Sequence, residues 1–226
     1  MGGIVRLNAP DPLEEYVNSA DEIYGTGVDG DATITTNTTM SADMYYLNLT
    51  IDSGVTLNTN GYRLFVKNNL VLNNNAVVGL PGGFSGEGSV SGGGAAGASV
   101  TNSLGGNSGT GETATAPTAA NGGSQYYQYP SQAILGYQIT ASSGGPVYLK
   151  GGAGSTTDSG GGVVIVAARY ISIDGTAQIA ATGGTDAGGG VVMLVSTPSV
   201  APAGLVLNVD GQGSAAEGTA IYLEVD

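Results

Sequence analysis

Short apolar runs that end in Asn or Asp recur along this chain. Leu49-Thr50-Ile51-Asp52 and Leu70-Val71-Leu72-Asn73 stand 21 residues apart, and Ile171-Ser172-Ile173-Asp174 and Leu205-Val206-Leu207-Asn208 stand 34 apart. Alternation of apolar and other residues predicts a strand with one buried face, and the closing Asn or Asp predicts a turn. Since such a unit cannot bury its face alone, the recurrence predicts a coil of stacked rungs.

A longer unit is duplicated in the C-terminal third of the chain. Gly160-Gly161-Gly162-Val163-Val164-Ile165-Val166 is matched 28 residues later by Gly188-Gly189-Gly190-Val191-Val192-Met193-Leu194-Val195. Four or more consecutive apolar residues predict a strand that is covered on both faces. A glycine-rich stretch precedes each run, and we expect these stretches to leave the coil at one common corner.

Between residues 32 and 78 the predicted strands follow each other closely. Asn60-Gly61 is the strongest turn signal there, and it fits either a two-residue hairpin or a corner between successive rungs. The recurrence of the apolar motif on both sides favours the corner. We therefore predict an all-β fold, a parallel β-helix-like or stacked-rung arrangement with glycine-rich loops and a short N-terminal helix.

That helix is predicted for residues 11–24. Asp11 can cap it, Pro12 suits its first turn, and Gly25 ends it. Its apolar residues fall near one face, and they are Leu13, Tyr16, Val17, Ala20 and Tyr24. The helix is either a lid over the first rung or a peg for attachment. We accordingly divide the chain into an N-terminal attachment segment, residues 1–30, and a glycine-rich β domain, residues 31–226.

Residues 79–125 form a low-complexity insertion within that domain. Gly, Ser, Thr, Ala and Asn dominate it. A flexible linker is one interpretation. The other is an ordered insertion, because chains without Cβ atoms can pack backbone against backbone. Both interpretations stay open.

Composition narrows the classes of function. The net charge is −13, with only five Lys and Arg residues, which argues against nucleic-acid and anionic-membrane partners. The absence of Cys and His removes disulfides, thiolate or imidazole metal sites and the usual catalytic base. No apolar stretch is long enough for a transmembrane helix, and the first residues do not resemble a signal peptide. We expect synthesis in the cytosol.

Catalysis has weak support in this sequence. The carboxylates that could form an acid–base pair are Asp174, Asp186, Asp210 and Glu217. Asp174 and Asp210 follow matched strands, so they could meet on one corner. Because Asp is also a common turn residue, we interpret them as turn formers and predict no catalytic residue, no metal, no cofactor and no enzyme activity. The weak calcium candidates are Asp29-Gly30-Asp31 and Gly183-Gly184-Thr185-Asp186.

Three tyrosines are the best candidates for binding. Tyr126, Tyr127 and Tyr129 lie together beside Pro130, just after the glycine-rich insertion. Tyrosine offers a flat apolar ring and a polar hydroxyl, which suits sugars and interfaces. The alternative is ordinary packing inside the fold or between subunits.

The combination of these motifs resembles a family. Residues 33–78, with Leu49-Thr50-Ile51-Asp52 followed by Ser53-Gly54-Val55-Thr56-Leu57-Asn58-Thr59-Asn60-Gly61-Tyr62, are similar to segments of glycine-rich virion surface proteins of tailed bacteriophages. The units at residues 160–173 and 188–195 are similar to repeats in the same group. The motifs are of low specificity, and no functional residue carries over.

This resemblance implies a non-enzymatic virion structural protein, such as a tail fibre, spike or capsid decoration, made in the host cytoplasm. It implies a homotrimer that contacts other virion proteins through its N-terminal segment and host-cell glycans through its projecting part. A narrow β unit with long apolar strands also favours a trimer. The competing hypotheses are a carbohydrate-active β-helix enzyme and a filament subunit of a prokaryotic cell surface.

Overall fold

Strands account for most of the regular structure in this protein. The computed structural model describes residues 23–80, 124–125, 149–150, 152, 160–197 and 201–225. The strands are β1 (Gly30–Ile34), β2 (Thr38–Thr39), β3 (Met44–Ile51), β4 (Thr56–Asn58), β5 (Arg63–Leu72), β6 (Val77–Leu80), β7 (Ser124–Gln125), β8 (Leu149–Lys150), β9 (Val163–Ile173), β10 (Ala177–Ala181), β11 (Val191–Ser196), β12 (Leu205–Asn208) and β13 (Thr219–Glu224). Within the described residues, helical conformation is confined to Ile23 and Tyr24.

The strands form two parallel sheets, and the chain alternates between them. Sheet A has the order β1-β3-β5-β9-β11-β13, and sheet B has the order β12-β10-β6-β4-β2. Every neighbouring pair in both sheets is parallel, while β7 and β8 form a separate antiparallel pair. Within sheets A and B, each strand therefore pairs with the strand two positions away along the sequence, except that β5 pairs with β9 and β6 pairs with β10. The predicted all-β class with parallel strands is confirmed.

Three of the four apolar runs lie beside one another in sheet A. Leu49 pairs with Leu70, and Leu70 pairs with Ile171, so these runs stack in register. The fourth run, Leu205–Asn208, is β12 and pairs with β10 in sheet B. The same motif therefore occurs in both sheets. The alternation of a half-buried strand is the same in either sheet, so it does not distinguish them.

The space between the two sheets is filled by aliphatic side chains. This inner cluster draws alternate residues from both sheets, for example Leu49 and Leu70 from sheet A and Leu57 and Ile179 from sheet B, all with an exposed fraction of at most 1%. Large aromatic rings are rare there because the chain has two Phe and no Trp. The stacked interior thus follows from the period-two pattern.

The apolar runs at the start of β9 and along β11 are covered on both faces. Val164 and Val192 point into the inner cluster, whereas Ile165 and Met193 belong to a second cluster on the outer face of sheet A. All four are nearly inaccessible to solvent. The prediction from their continuous apolar runs is confirmed. The strands lie in a parallel sheet, where burial on both faces is usual.

Asn60-Gly61 forms a corner and not a hairpin. Asn60 and Gly61 both have positive φ, 50° and 80°, and they connect β4 in sheet B with β5 in sheet A. Asn tolerates this left-handed conformation and Gly adopts it without a steric penalty. The preference for the corner is therefore confirmed.

Two predicted segments fall largely outside the described residues. The helix at residues 11–24 is described only at Ile23 and Tyr24, and the insertion at residues 79–125 only at its first two residues and its last two. Whether residues 1–30 serve for attachment stays a prediction. Tyr24 itself is buried in the outer cluster of sheet A.

Candidate functional site

The most polar described part of sheet A lies on its outer side, at Asp31 of β1 and in the later parts of β3, β5 and β9. Asp31 of β1 is paired with Asn48 of β3, and Asn69 of β5 with Tyr170 of β9. We call these four residues, together with Ser172, the polar face. They are exposed or half-buried, in contrast to the apolar outer positions earlier in the same strands.

Hydrogen bonds connect the polar face across the strands. Asn48 Nδ2 donates to Asp31 Oδ1 at 2.8 Å, and the Asn69 backbone N–H donates to Asn48 Oδ1 at 3.3 Å. The Ser172 hydroxyl donates to Asn69 Oδ1 at 3.2 Å. Asp31 pairs with Asn48 and Asn69 with Tyr170, and the Asn69–Asn48 bond joins the two pairs, so these groups form a row across the strands with Ser172 two residues further along β9. Such a row orders the side chains before any ligand arrives.

Tyr170 adds an aromatic ring to this row. Its exposed fraction is 47%, and the Arg169 guanidinium lies 5.4 Å from the ring centroid. A tyrosine ring beside amide and carboxylate groups can stack on a flat ligand while the polar groups bind its hydroxyls. Sequence reasoning missed Tyr170, because it follows the apolar run of β9 and has no aromatic neighbours in sequence.

The predicted tyrosine site falls in a part of the chain that the structure does not describe. Tyr126, Tyr127 and Tyr129 lie outside the described residues. Their role in binding stays a prediction, and the described residues do not relate them to the polar face.

The two matched aspartates do not converge. The Asp174 backbone N–H donates to the Leu72 carbonyl at the start of the connection from sheet A to sheet B. The Asp210 carbonyl accepts from Gly183 N–H, which lies beyond the opposite end of β10. Five residues of strand separate the two positions, roughly 16 Å at about 3.3 Å per residue. The hypothesis that they meet on one corner was wrong, because their preceding strands belong to different sheets.

The other two acids of that set are exposed. Asp186 has a positive φ of 57° and lies against Gly213, where an added Cβ would overlap its carboxylate oxygen. Glu217 lies on the connection between β12 and β13. Both positions fit turns and loops, in agreement with the interpretation of these acids as turn formers.

The two acids of Asp29-Gly30-Asp31 each bind the neighbouring strand. Asp29 Oδ2 accepts the Tyr45 N–H at 2.6 Å, and Asp31 Oδ1 accepts from Asn48. Within the described ranges, no group of three or more acidic, Cys or His residues could hold a metal ion. The calcium hypothesis therefore gains no support from the part of the chain that is described.

The motif-ending residues Asp52, Asn73 and Asp174 form a column at the corner that leads to sheet B. Their backbone N–H groups donate to the carbonyls of Ile34, Ile51 and Leu72 at the end of the neighbouring strand, at 3.0 Å in each case. Asn73 Nδ2 also contacts Asp52 Oδ1 at 3.5 Å. These residues thus add one more hydrogen bond between each pair of neighbouring strands, in addition to making turns.

The glycine-rich stretches meet at the opposite ends of the sheet A strands. Val191 N–H donates to the Gly162 carbonyl and Thr219 N–H to the Gly190 carbonyl, so the stretches before β9, β11 and β13 stack on one another. A Cβ at Gly189 would overlap the Val209 carbonyl oxygen. We call this the glycine rim. The expectation of a common corner is confirmed for the described residues.

Arg63 and Asp43 form a buried ion pair at the start of β5, close to the Asn60-Gly61 corner. Arg63 Nη2 is 2.7 Å from Asp43 Oδ2, and the Arg63 backbone N–H donates to Asp43 Oδ1, also at 2.7 Å. The exposed fractions are 3% for Arg63 and 10% for Asp43. Burial of this kind orders the connection between β2 and β3, because a charge left unpaired here would be costly.

Two tyrosines, one in β3 and one in β13 near opposite edges of sheet A, have hydroxyls with a raised pKa. Burial, and secondarily the Asp29 carboxylate, raise the pKa of Tyr46 above its ordinary value. Burial also raises the pKa of Tyr222, against the opposing effect of a hydrogen bond with Ser196, and Glu224 and Tyr24 add to the rise. Both rings lie in the inner cluster, so both stay protonated at neutral pH and act as packing groups.

Comparison with protein-family models, with curated proteins and with solved structures yields no match to this chain. Among the described residues, no helix has the length and apolarity needed to cross a membrane.

Proposed function

We propose that this chain is a parallel β-helix and acts as a non-enzymatic structural protein on the surface of a bacteriophage particle. The observation that carries the proposal is the regular passage of the chain between two parallel sheets around one aliphatic interior. A stack of this kind is stiff and extends by repetition. These are the properties that a fibre, spike or capsid decoration needs, and the sequence motifs resemble those of such proteins.

A structural role fits the chemistry of the described surfaces better than catalysis. Asp174 and Asp210 lie at opposite ends of the sheet B strands, farther apart than the carboxylates of a glycosidase. The polar groups of the outer face bond to one another across the strands. We therefore propose no enzyme activity for this chain.

The partners we propose are other virion proteins, bound through the N-terminal segment, and further copies of the chain in a homotrimer. The net charge of −13 over the whole chain favours solubility and disfavours binding to anionic surfaces. Host-cell glycans are the proposed ligand, bound either by Tyr126, Tyr127 and Tyr129 or by Tyr170 on the polar face.

Electron microscopy of purified particles tests the virion assignment. Antibody raised against this chain, carrying gold, should decorate the surface of particles released from the producing cells. Gold that follows cell envelopes and never intact particles would reject the assignment in favour of a cell-surface filament. Light scattering tests the trimer, and a monomer mass at micromolar concentration would contradict it.

Binding measurements separate the two proposed glycan surfaces. Surface polysaccharide purified from the host is immobilised, and binding is compared for wild type, Tyr170→Ala and the triple change Tyr126→Ala, Tyr127→Ala and Tyr129→Ala. If only one variant loses binding to the polysaccharide, the residues changed in that variant belong to the glycan-binding surface. The matched control is Val206→Ala. Val206 is 54% exposed and lies on β12 of sheet B, whereas the polar face lies on sheet A. If wild type does not bind any host polysaccharide, the glycan proposal fails.

A further inference from the structure

The outer face of sheet A carries an apolar surface that a soluble protein must cover. It is formed by alternate side chains of four adjacent strands, and they are Phe65, Val163, Ile165, Ala167, Val191, Met193, Val195, Ile221 and Leu223. Each is at most 4% exposed. Inner side chains of the same strands pack towards sheet B, so the outer side chains need a different cover. We call this surface the outer apolar face.

Two residues at the beginning of the described chain lie directly on this face. Tyr24 is 3% exposed, and its hydroxyl lies 3.2 Å from Thr197 Oγ1 and 3.4 Å from the Val225 carbonyl. Gly25, with a φ of 79°, approaches Phe65 and Tyr45 so closely that a Cβ there would contact both. The chain thus crosses the outer face from the last strand of sheet A towards β5 and β3.

Ile23 and Tyr24 are too small to cover a surface formed by four strands. Both are helical, and both pack on the outer cluster. A helix that continued towards the N-terminus would direct positions three, four, seven and eight residues back to the same side. Counted from Tyr24, the last three of these positions carry Ala20, Val17 and Tyr16, and Leu13 lies one turn further. The apolar stripe of residues 11–22 is therefore in phase with Tyr24, which already contacts the face.

The dimensions also agree. A helix over residues 11–24 would be about 21 Å long at 1.5 Å per residue. Four strands at about 4.8 Å spacing, with apolar stretches of about five residues each, form a surface roughly 14 by 16 Å. One such helix spans this surface.

We propose that residues 11–22 continue the helix at Ile23–Tyr24 and dock on the outer apolar face as part of the fold. The occupant of the face is thus the chain's own N-terminal segment. The segment is then neither a lid over the first rung nor a free peg. Attachment to other virion proteins, where it occurs, would use residues 1–10 and the acidic side of the helix. The docking itself does not depend on the proposed virion role.

Single-cysteine labelling tests the docking, because the natural chain has no Cys and each introduced thiol is a unique probe. Val17→Cys lies on the predicted docked side, and its neighbour Asn18→Cys lies on the predicted solvent side. In the native full-length protein we expect the thiol at position 17 to react with a maleimide at least tenfold more slowly than the thiol at position 18. In 8 M urea, used as a denatured reference, the rates should converge. Equal native rates would overturn the docking.

A second measurement shows which surface the segment covers. In a Met193→Cys background the thiol reports on the outer apolar face, and in a Leu194→Cys background it reports on the inner cluster. The change Val17→Asp should accelerate labelling of the thiol at position 193 at least tenfold and leave the thiol at position 194 unchanged, while Asn18→Asp should alter neither. Continued protection at position 193, or equal acceleration at both positions, would contradict docking on this face.

Discussion

The N-terminal half of the stack, β1 to β6, and the C-terminal half, β9 to β13, use the same topology with different chemistry. Both alternate between two parallel sheets and share one aliphatic interior. In the first half, short polar corners close each turn, and Asp31, Asn48 and Asn69 supply most of the polar face. In the second half, glycine backbones fill the rim and apolar side chains form most of the outer apolar face, although Tyr170 and Ser172 of β9 continue the polar face.

The difference shows that one repeating backbone can be supported in two ways. Asp and Asn side chains in the first half supply bonds between the connections at the ends of neighbouring strands, so these corners need few residues and tolerate solvent. In the second half the loops are longer, and the absence of Cβ atoms lets their backbones bond directly to one another. We expect the first half to be sensitive to loss of polar partners and the second to added volume.

The largest loss of stability is expected in the first half, when the buried ion pair is broken. Asp43→Ala leaves the Arg63 guanidinium buried without this carboxylate and should cost about 3–5 kcal/mol of unfolding free energy. Urea unfolding followed by tyrosine fluorescence measures this, since the chain has no Trp. Asp52→Ala is the control. Its carboxylate makes a long contact with Asn73, and we expect a loss of less than about 1 kcal/mol. Similar losses for both variants would contradict the role of the pair.

A comparison of the two outer faces should give the next largest effect. Met193→Ala removes a fully buried side chain from the outer apolar face and should cost about 2–5 kcal/mol. Asn69→Ala, on the half-exposed polar face, should cost about 1 kcal/mol. Circular dichroism during urea unfolding measures both. A loss at Met193 as small as that at Asn69 would show that the second half is not covered on both faces.

Added volume distinguishes the glycine rim from the polar corners. Gly189→Ala places a methyl group against the Val209 carbonyl and should cost about 3 kcal/mol. Gly54→Ala is the matched change in the first half, where an added Cβ meets no atom within 4 Å and only the positive φ of 71° opposes it. We expect about 1–2 kcal/mol there. Thermal unfolding of the two variants shows which change costs more stability. A larger loss of stability for Gly54→Ala than for Gly189→Ala would contradict this prediction.

The smallest expected effect is a change in alkaline stability. Because the pKa values of Tyr46 and Tyr222 are raised in the folded chain, the folded state holds these protons more tightly than the unfolded state. Their contribution is complete below the ordinary tyrosine pKa of about 10 and falls as the pH rises above it. Tyr222→Phe should reduce the slope of stability against pH above about pH 10 in urea unfolding series. An unchanged slope with the double variant Tyr46→Phe and Tyr222→Phe would contradict this.

Local patterns were sufficient to predict the strand class, but not the sheet to which each run belongs. The alternation in Leu205–Asn208 is the same as that in β3 and β5, yet it pairs with β10 in sheet B. The error at Asp174 and Asp210 follows from this, because the ends of strands in different sheets face different corners. Tyr170 was missed for a related reason, since its place beside Asn69 arises from pairing between residues distant in sequence.

By itself, the sequence determined the β class, the positions of the corners and the strands that are buried on both faces, because period two, turn residues and continuous apolar runs are local signals. Only the tertiary structure decided the order of strands in the two sheets, the Asp43–Arg63 pair and the contact of Tyr24 with the last strand of sheet A. These three features depend on how strands that are distant in sequence stack beside one another. Stacking brings together residues whose separation along the chain follows no fixed period.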